Sequence, residues 1–140
     1  YLSFRLAEEK IGLGLLDEAE SLLEEARDLL QTNGELFVEA EYHRLHGRIC
    51  LERFRQNEDQ ESLERASEHF QRALARAQHH ESKALELRAS MDRAEVLSLQ
   101  GKHEQAQSLL DGIVQRFDEL DDSGDCLRAM GMLKELRKKT

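Results

Sequence analysis

Apolar residues recur along the chain at the spacing of an amphipathic helix, and the same arrangement occurs three times. In each copy a small residue is followed four positions later by a large apolar residue and three positions after that by a further apolar one. The three sets are Ala19, Leu23 and Ala26; Ala66, Phe70 and Ala73; and Ala106, Leu110 and Ile113. Because spacings of four and three return to one face of a helix, the pattern predicts three helices that each bury one stripe. The small residue in each stripe lets a neighbouring helix approach closely.

Each of these helices needs a partner helix before it, and a small residue marks the point of closest contact on that partner. The candidates are Ala7, Gly47 and Ala94. Their distance to the small residue of the following helix is 12 positions in the first and third copies and 19 in the second. Ala7 and Gly47 are 40 positions apart, whereas Gly47 and Ala94 are 47 apart, so the repeat has a period of 40 residues that is lengthened once to 47. We assign the seven extra residues to the polar segment FRQNEDQES, as a longer first helix or an enlarged turn.

Two glycines mark turns between paired helices. Gly14 and Gly101 each lie five positions before the small residue of the second helix in their pair. Glycine adopts the left-handed backbone conformation that ends many helices without the steric penalty of a Cβ atom. We therefore expect both glycines to terminate the preceding helix in that conformation.

The resulting layout is all-α and forms a single domain over residues 1–140. The three helix pairs span about residues 2–32, 35–79 and 82–119, with helices expected at 2–13, 16–32, 35–55, 59–79, 82–100 and 103–119. A final helix at about 123–138 carries Leu127, Met130, Leu133 and Leu136 at helical spacing. Because a stack of helix pairs leaves an apolar face at its end, we expect this helix to cap the third pair. The helical pattern is already running at Tyr1, so we expect the chain to be a fragment of a longer protein.

These features resemble the tetratricopeptide repeat. Ala66 and Phe70 match the A-x3-F element of its signature, Leu6-Ala7 fits its Leu-Gly element, and GKHEQA is similar to its usual turn. The chain departs from the family pattern in its longer period, in its lack of tryptophan and proline, and in the His46 that precedes Gly47. The repeat resemblance covers roughly residues 2–119. Longer repeats of this kind resemble the helical regions of large bacterial multidomain regulators, and residues 83–114 are the stretch most similar to them. The resemblance implies a right-handed α-solenoid of three helix pairs plus the capping helix.

The resemblance also implies a function. Helical arrays of this kind adjoin signalling ATPase, cyclase, kinase or DNA-binding domains, so we expect a regulatory interaction module within a signalling or transcription-regulating protein. It would bind a peptide or a neighbouring domain in its concave groove. Two alternatives stay open: a sensor domain that holds a small ligand in the hollow, and a self-association module that forms a homo-oligomer. The residues of the self-association surface are Leu2, Leu6, Leu13 and Leu16.

The groove is expected at fixed positions before and after the small residues of the first helices. The residues are Phe4, Glu8, Glu41, Arg44, Arg48, Glu52, Arg88, Met91 and Glu95. Arg44, Arg48 and Arg88 form a positive strip suited to bidentate contact with carboxylates, which implies an acidic peptide or helix as the ligand. The alternative is that these arginines pair with the nearby Glu41, Glu52, Asp92 and Glu95, where exposed ion pairs contribute only about 0–1 kcal/mol.

Composition narrows the class of partner. The formal net charge of −9 opposes binding to nucleic acid or to an anionic membrane, since a phosphate backbone selects proteins that bring clustered positive charge. No apolar run approaches the roughly 20 residues that span a bilayer, and the opening residues have no basic start followed by an apolar stretch. Cys50 and Cys126 form no C-x-x-C pair, which favours a reducing, cytoplasmic location.

Catalytic and cofactor chemistry finds no support in the motifs. The chain has no G-x-S-x-G, H-E-x-x-H, P-loop, G-x-G-x-x-G or EF-hand pattern, so we expect neither an enzyme nor a bound cofactor. Among the six histidines, His43 with His46 and the pair His79-His80 are the best metal candidates. A zinc ligand set needs further donors at tetrahedral positions, and the pattern supplies none beside them. We therefore expect no metal site.

Overall fold

A computed structural model describes residues 2–33, 36–79, 83–116 and 124–139, and the regular elements in these ranges are all α-helices. The helices are α1 (Leu2–Gly12), α2 (Leu16–Asn33), α3 (Leu36–Asn57), α4 (Gln60–His79), α5 (Lys83–Leu99), α6 (His103–Arg116) and α7 (Gly124–Lys139). The all-α class is confirmed, and the helices follow one another in the predicted order. The predicted helix bounds at residues 35, 82, 119 and 123 lie outside the described residues.

The turns that close the first and third helix pairs are built alike. Gly14 has a φ of 78° and Gly101 a φ of 80°, which confirms the predicted left-handed conformation. In the first turn the N–H of Leu15 donates to the carbonyl of Lys10 at 2.9 Å, and that of Gly14 donates to Ile11 at 3.0 Å. The third pair repeats both bonds at 2.8 and 3.0 Å. This pair of hydrogen bonds is the Schellman motif, in which the last carbonyls of a helix find donors.

The middle hairpin is longer and closes differently. Compared with the other pairs, the seven extra positions extend α3 at its end and α4 at its start, while the turn itself is one residue shorter. Of the two options, the longer helix is therefore the one observed. Glu58 takes the left-handed position with a φ of 53°. Asp59 then caps α4, because its side chain accepts from the Glu61 N–H at 3.1 Å and from the Ser62 hydroxyl at 2.9 Å.

The small residues lie where paired helices meet, and they are completely buried. Ala7, Ala19, Ala66, Ala94 and Ala106 are each 0% exposed. Gly47 shows how close the approach is, because a Cβ atom placed there would lie 2.5 Å from Cε1 of Phe70. Only glycine fits at this position of α3, and the aromatic ring of α4 fills the space that a side chain would occupy.

Each helix packs on its neighbours in the chain, and the odd-numbered helices also contact one another. α1 contacts α3, α3 contacts α5, and α5 contacts α7. α7 packs against α5 and α6 through Ala129, Leu133 and Leu136, which join the same apolar cluster as Leu110. Leu127 and Met130, placed in the same stripe by the sequence, are instead 60% and 46% exposed. The buried face of α7 therefore runs through Ala129, because close packing on α5 and α6 favours a small residue there.

Candidate functional site

A cleft of about 540 Å³ runs across the odd-numbered helices. Its walls come from α1, α3, α5 and α7, so it crosses both the contacts between first helices and the capping helix. The lining residues are Glu8, Ile11, Gly12, Glu41, Arg44, Arg48, Glu52, Arg88, Met91, Asp92 and Arg128. Four carboxylates and four guanidinium groups face one another in this space, which we call the cleft.

Seven of the nine residues assigned to the groove from the sequence line the cleft, and Phe4 and Glu95 do not. Phe4 is 7% exposed and belongs to the core cluster of α1, α2 and α3. Phe4 lies three residues before Ala7 on the packing face of α1, and its apolar ring is buried in the core instead of reaching the cleft. The equivalent residues Arg44 and Met91 are also buried, at 8% and 3%, and they form the floor of the cleft. Phe4 therefore packs in the core and does not line the cleft.

Glu95 lies at the edge of a second hollow between α5 and α7. Its carboxylate accepts a hydrogen bond from Arg55 at 2.5 Å, and the same guanidinium donates to Glu52 at 2.6 Å. Arg55 therefore ties the rim of the cleft on α3 to the neighbouring hollow on α5.

Arg44 connects three of the odd-numbered helices. Its Nε donates to Oε1 of Glu41 at 2.7 Å on α3, and its Nη1 donates to Oδ2 of Asp92 at 3.3 Å on α5. Its Nη2 lies 3.7 Å from Oε1 of Glu8 on α1. A planar guanidinium has five donors in a fixed fork, so one arginine can hold several carboxylates at set angles. The central arginine thus holds α3 and α5 at a set spacing beneath the cleft, with Glu8 of α1 beside it.

Asp92 is the buried counterpart of these arginines. Its Oδ1 accepts from Nη1 of Arg48 at 3.0 Å, while its Oδ2 accepts from Arg44. Burial raises the pKa of Asp92, and the two guanidinium groups act in the opposite direction. For Arg44, burial lowers the pKa, but the hydrogen bond and charge of Glu41 and the charge of Asp92 outweigh it and the net pKa is raised. The positive charges of Arg44 and Arg48 are therefore balanced within the protein, as the alternative interpretation of the strip expects.

The sequence pattern named Asp92 only as a pairing partner and did not name Arg128. Asp92 lies two positions before Ala94, which is off the positions used to define the groove. Arg128 reaches the cleft because α7 contacts α5, and that contact depends on how the capping helix docks. No periodicity within 123–138 specifies the docking direction.

A second group of reactive side chains lies between α3 and α4. Donor atoms of His46, Cys50 and His69 are all within 4.8 Å of one another, so these residues could hold a metal ion. Successive residues of a helix are rotated by about 100°, so His46, two positions after Arg44, lies about 160° around α3 from it. The cluster is therefore on the opposite face of α3 from the cleft. We call His46, Cys50 and His69 the histidine–cysteine cluster.

Packing and hydrogen bonds hold the cluster in place. The rings of His46 and His69 stack with centroids 4.7 Å apart, and Nδ1 of His43 lies 3.4 Å from Nδ1 of His69. Nε2 of His46 lies 3.3 Å from Oε1 of Glu24, which also accepts from the hydroxyl of Tyr42 at 3.2 Å. Burial lowers the pKa of His43 and of His69 to about 4, and burial raises the pKa of the Cys50 thiol. Both imidazoles are therefore neutral at neutral pH.

The sequence contains a signal for Cys50 and His69, the two members of the histidine–cysteine cluster that were not selected as metal candidates. Gly47 packs on Phe70, and the residues immediately before them are His46 and His69. Aligning the small residue of the first helix with the phenylalanine of A-x3-F therefore brings these histidines to one level, and Cys50 follows His46 by one helical turn.

No protein-family model matches the chain, and no curated protein or solved structure matches it. Among the described residues, no helix is both long enough and apolar enough to span a bilayer.

Proposed function

We propose that this chain is a regulatory protein-interaction module that binds a peptide or a neighbouring domain in the cleft. It acts as part of a larger signalling or transcription-regulating protein in the cytoplasm, and it has no catalytic role. The observation that carries the proposal is the convergence of seven predicted groove residues on one cleft formed by the odd-numbered helices. A single continuous surface across several repeats is what helical-repeat proteins use for binding.

The proposed architecture is a right-handed tetratricopeptide-like solenoid. It is supported by the contacts α1 with α3, α3 with α5 and α5 with α7, which give the first helices a common side. The left-handed glycines at two hairpins and the tight contact of Gly47 with Phe70 also support it. In such a stack the first helices line the inner surface, where the cleft is.

The proposed ligand is an acidic segment, and the cleft offers it a specific entry point. Of the carboxylates around Arg44, Glu8 is the least firmly held, with its oxygen 3.7 Å away and its side chain 60% exposed. A ligand carboxylate replaces Glu8 beside Arg44, while Arg48, with its side chain 28% exposed, is reachable from the same side. Both contacts are charge-assisted and are stronger than neutral hydrogen bonds.

Fluorescence anisotropy with labelled acidic and basic peptide pools tests this proposal. We expect the acidic pool to bind and Arg48→Glu to abolish binding. Arg65→Glu is the matched control, because Arg65 is an exposed arginine on α4 that pairs with Glu61 away from the cleft. Equal binding by the Arg48→Glu and Arg65→Glu variants, or no binding by the wild type, would remove the proposed site.

A small-ligand sensor is the second candidate, and the size of the cleft favours it. A volume of about 540 Å³ is within the range of roughly 300–1,000 Å³ that small-molecule sites occupy. A thermal-shift screen against anionic and zwitterionic metabolites measures this directly, because a ligand that binds the folded state raises the melting temperature. No shift with any compound at concentrations far above typical affinities would leave the peptide as the only ligand class.

Self-association is the third candidate, and one surface supports it. Leu6 and Leu13 are 37% and 72% exposed near the start of the chain, whereas Leu16 is buried, and the side chain of Leu2 lies outside the described residues. Sedimentation velocity at increasing concentration distinguishes this candidate. A monomer at all concentrations would exclude a homo-oligomer.

A further inference from the structure

We propose that His46, Cys50 and His69 form a binding site for a zinc ion between α3 and α4. This site is independent of the cleft and of the function proposed for it. Zinc is bound in proteins by thiolate sulfur and imidazole nitrogen, and two histidines and one cysteine supply such donors.

The first argument is distance. The three donor atoms lie within 4.8 Å of one another. Around a tetrahedral zinc with bonds of about 2.0–2.3 Å, neighbouring ligand atoms are about 3.3–3.6 Å apart. Each pair therefore has to close by at most about 1.5 Å. Because the rings of His46 and His69 are stacked at 14°, metal binding has to turn one ring out of the stack so that both nitrogens point at the same ion. His46 and Cys50 share one helix at a spacing of four, so the backbone already presents two ligands on one face.

The second argument is an unpaired nitrogen. Nδ1 of His46 is buried and has no hydrogen-bond partner, although the other ring nitrogen faces Glu24. A buried polar atom without a partner is uncommon in native proteins and points to a group that completes it. A metal ion completes this nitrogen by accepting its lone pair.

The third argument is the support around each histidine. Metal-binding histidines usually direct their second nitrogen to a carboxylate or another acceptor, which fixes the tautomer and the ring orientation. Glu24 has this relation to Nε2 of His46, and Glu24 is held in turn by Tyr42. His43 has it to Nδ1 of His69, at 3.4 Å. This arrangement leaves Nδ1 of His46 and Sγ of Cys50 as ligand atoms, together with one ring nitrogen of His69.

The chemistry of the cluster agrees with this assignment. Cys50 is a free, buried thiol, and coordination by zinc releases its proton and makes it a thiolate. Imidazole binds zinc through the lone pair of its neutral form. One zinc and one thiolate leave a net positive charge, which the carboxylate of Glu24 offsets. Three protein ligands leave a fourth coordination position for water, which enters where His46 and His69 are partly exposed.

Titration of the reduced, metal-free chain with Co²⁺ tests the site, because cobalt replaces zinc and is coloured. We expect saturation at one ion per chain, a thiolate-to-cobalt charge-transfer band, and loss of that band when Zn²⁺ is added. Cys50→Ser and His69→Gln should each abolish the saturable band. Glu24→Gln, a change at a half-exposed position, should weaken cobalt affinity about 10–100-fold and leave the band at saturation.

The chain offers matched controls for both ligand types. Cys126→Ser removes the other cysteine, and His103→Gln removes a histidine on α6, so both variants should bind cobalt as the wild type does. Far-ultraviolet circular dichroism checks that each variant is folded, and His69→Gln, at a partly exposed position, keeps the test open if Cys50→Ser unfolds. Absence of a charge-transfer band in the wild type, or its persistence in both folded ligand variants, would overturn the proposal and leave only binding by surface carboxylates.

Discussion

Substituting Gly47 tests the close contact between α3 and α4. A Cβ at this position would lie 2.5, 2.7 and 3.0 Å from three ring atoms of Phe70. Phe70 is 0% exposed and packs with Leu51, Leu63 and Val96, so the ring has no free space into which it can move. Gly47→Ala must therefore separate α3 from α4 or force the ring out of its rotamer.

Two opposing effects set the magnitude. Overpacking a core by one methyl group costs about 1–3 kcal/mol. Alanine in place of glycine inside a helix stabilises the folded state by about 1 kcal/mol, because the unfolded chain has less backbone entropy to lose. We expect a net loss of about 0–2 kcal/mol, which lowers the melting temperature of a domain of this size by up to about 8 °C.

The assay is thermal and urea unfolding of Gly47→Ala beside Gly112→Ala. Gly112 is an exposed glycine within α6, and a Cβ there meets no atom within 4 Å. The control should therefore be stabilised by up to about 1 kcal/mol through the same entropy effect. If Gly47→Ala were as stable as Gly112→Ala, the close approach of α3 and α4 would be wrong, and with it the repeat interpretation of the small residues.

Three further predictions concern the turn, the floor of the cleft and its rim. Glu58→Gly should stabilise the protein by about 0.5–1 kcal/mol in urea unfolding, because glycine adopts the observed φ of 53° without strain; a loss of stability would contradict this. Arg44→Met should destabilise it by about 3–5 kcal/mol at neutral pH, since it leaves Asp92 buried with one cation fewer. Burial already raises the pKa of Asp92, so the folded state takes up a proton more readily than the unfolded state. The loss of stability caused by Arg44→Met should therefore shrink as pH falls. An equal loss of stability at neutral and acidic pH would show that the charge of Asp92 is not its cause. Arg55→Ala should cost only about 0–1 kcal/mol, because this bridge between Glu52 and Glu95 is largely exposed, and a larger loss would place Arg55 among the residues that hold the fold.

Local features of the fold are predictable from the sequence because they depend on neighbours along the chain. The helices follow from periodicity, and the ends at Gly14 and Gly101 follow from the freedom of glycine. Glu58 escapes this reasoning, because a left-handed glutamate has no sequence signature and is imposed by the longer hairpin around it. The insertion could be located but not divided between α3 and α4 without the structure.

Features that involve three or more helices are only partly predictable. Positions relative to Gly47 predict that Arg44 and Arg48 share one side of α3, and both line the cleft. Their pairing with Asp92 depends on the separation of α3 and α5. Phe4 shows that a shared repeat position does not ensure a shared environment. This position holds an arginine in α3 and a phenylalanine in α1, and burial of an aromatic ring in the core is strongly favoured.

The two proposed sites use opposite faces of α3, and this separates their tests. Arg48 pairs with α5 on one face, whereas His46 and Cys50 meet α4 on the other. Zinc would fix α3 against α4, and these two helices are already closely packed at Gly47. We therefore expect zinc binding to move α3 little and to leave the cleft unchanged. Cys50→Ser should therefore leave peptide affinity unchanged, and Arg48→Glu should leave the cobalt band unchanged. A change in either cross-measurement would mean that α3 shifts as a rigid body when zinc binds, and the zinc site would then regulate the cleft.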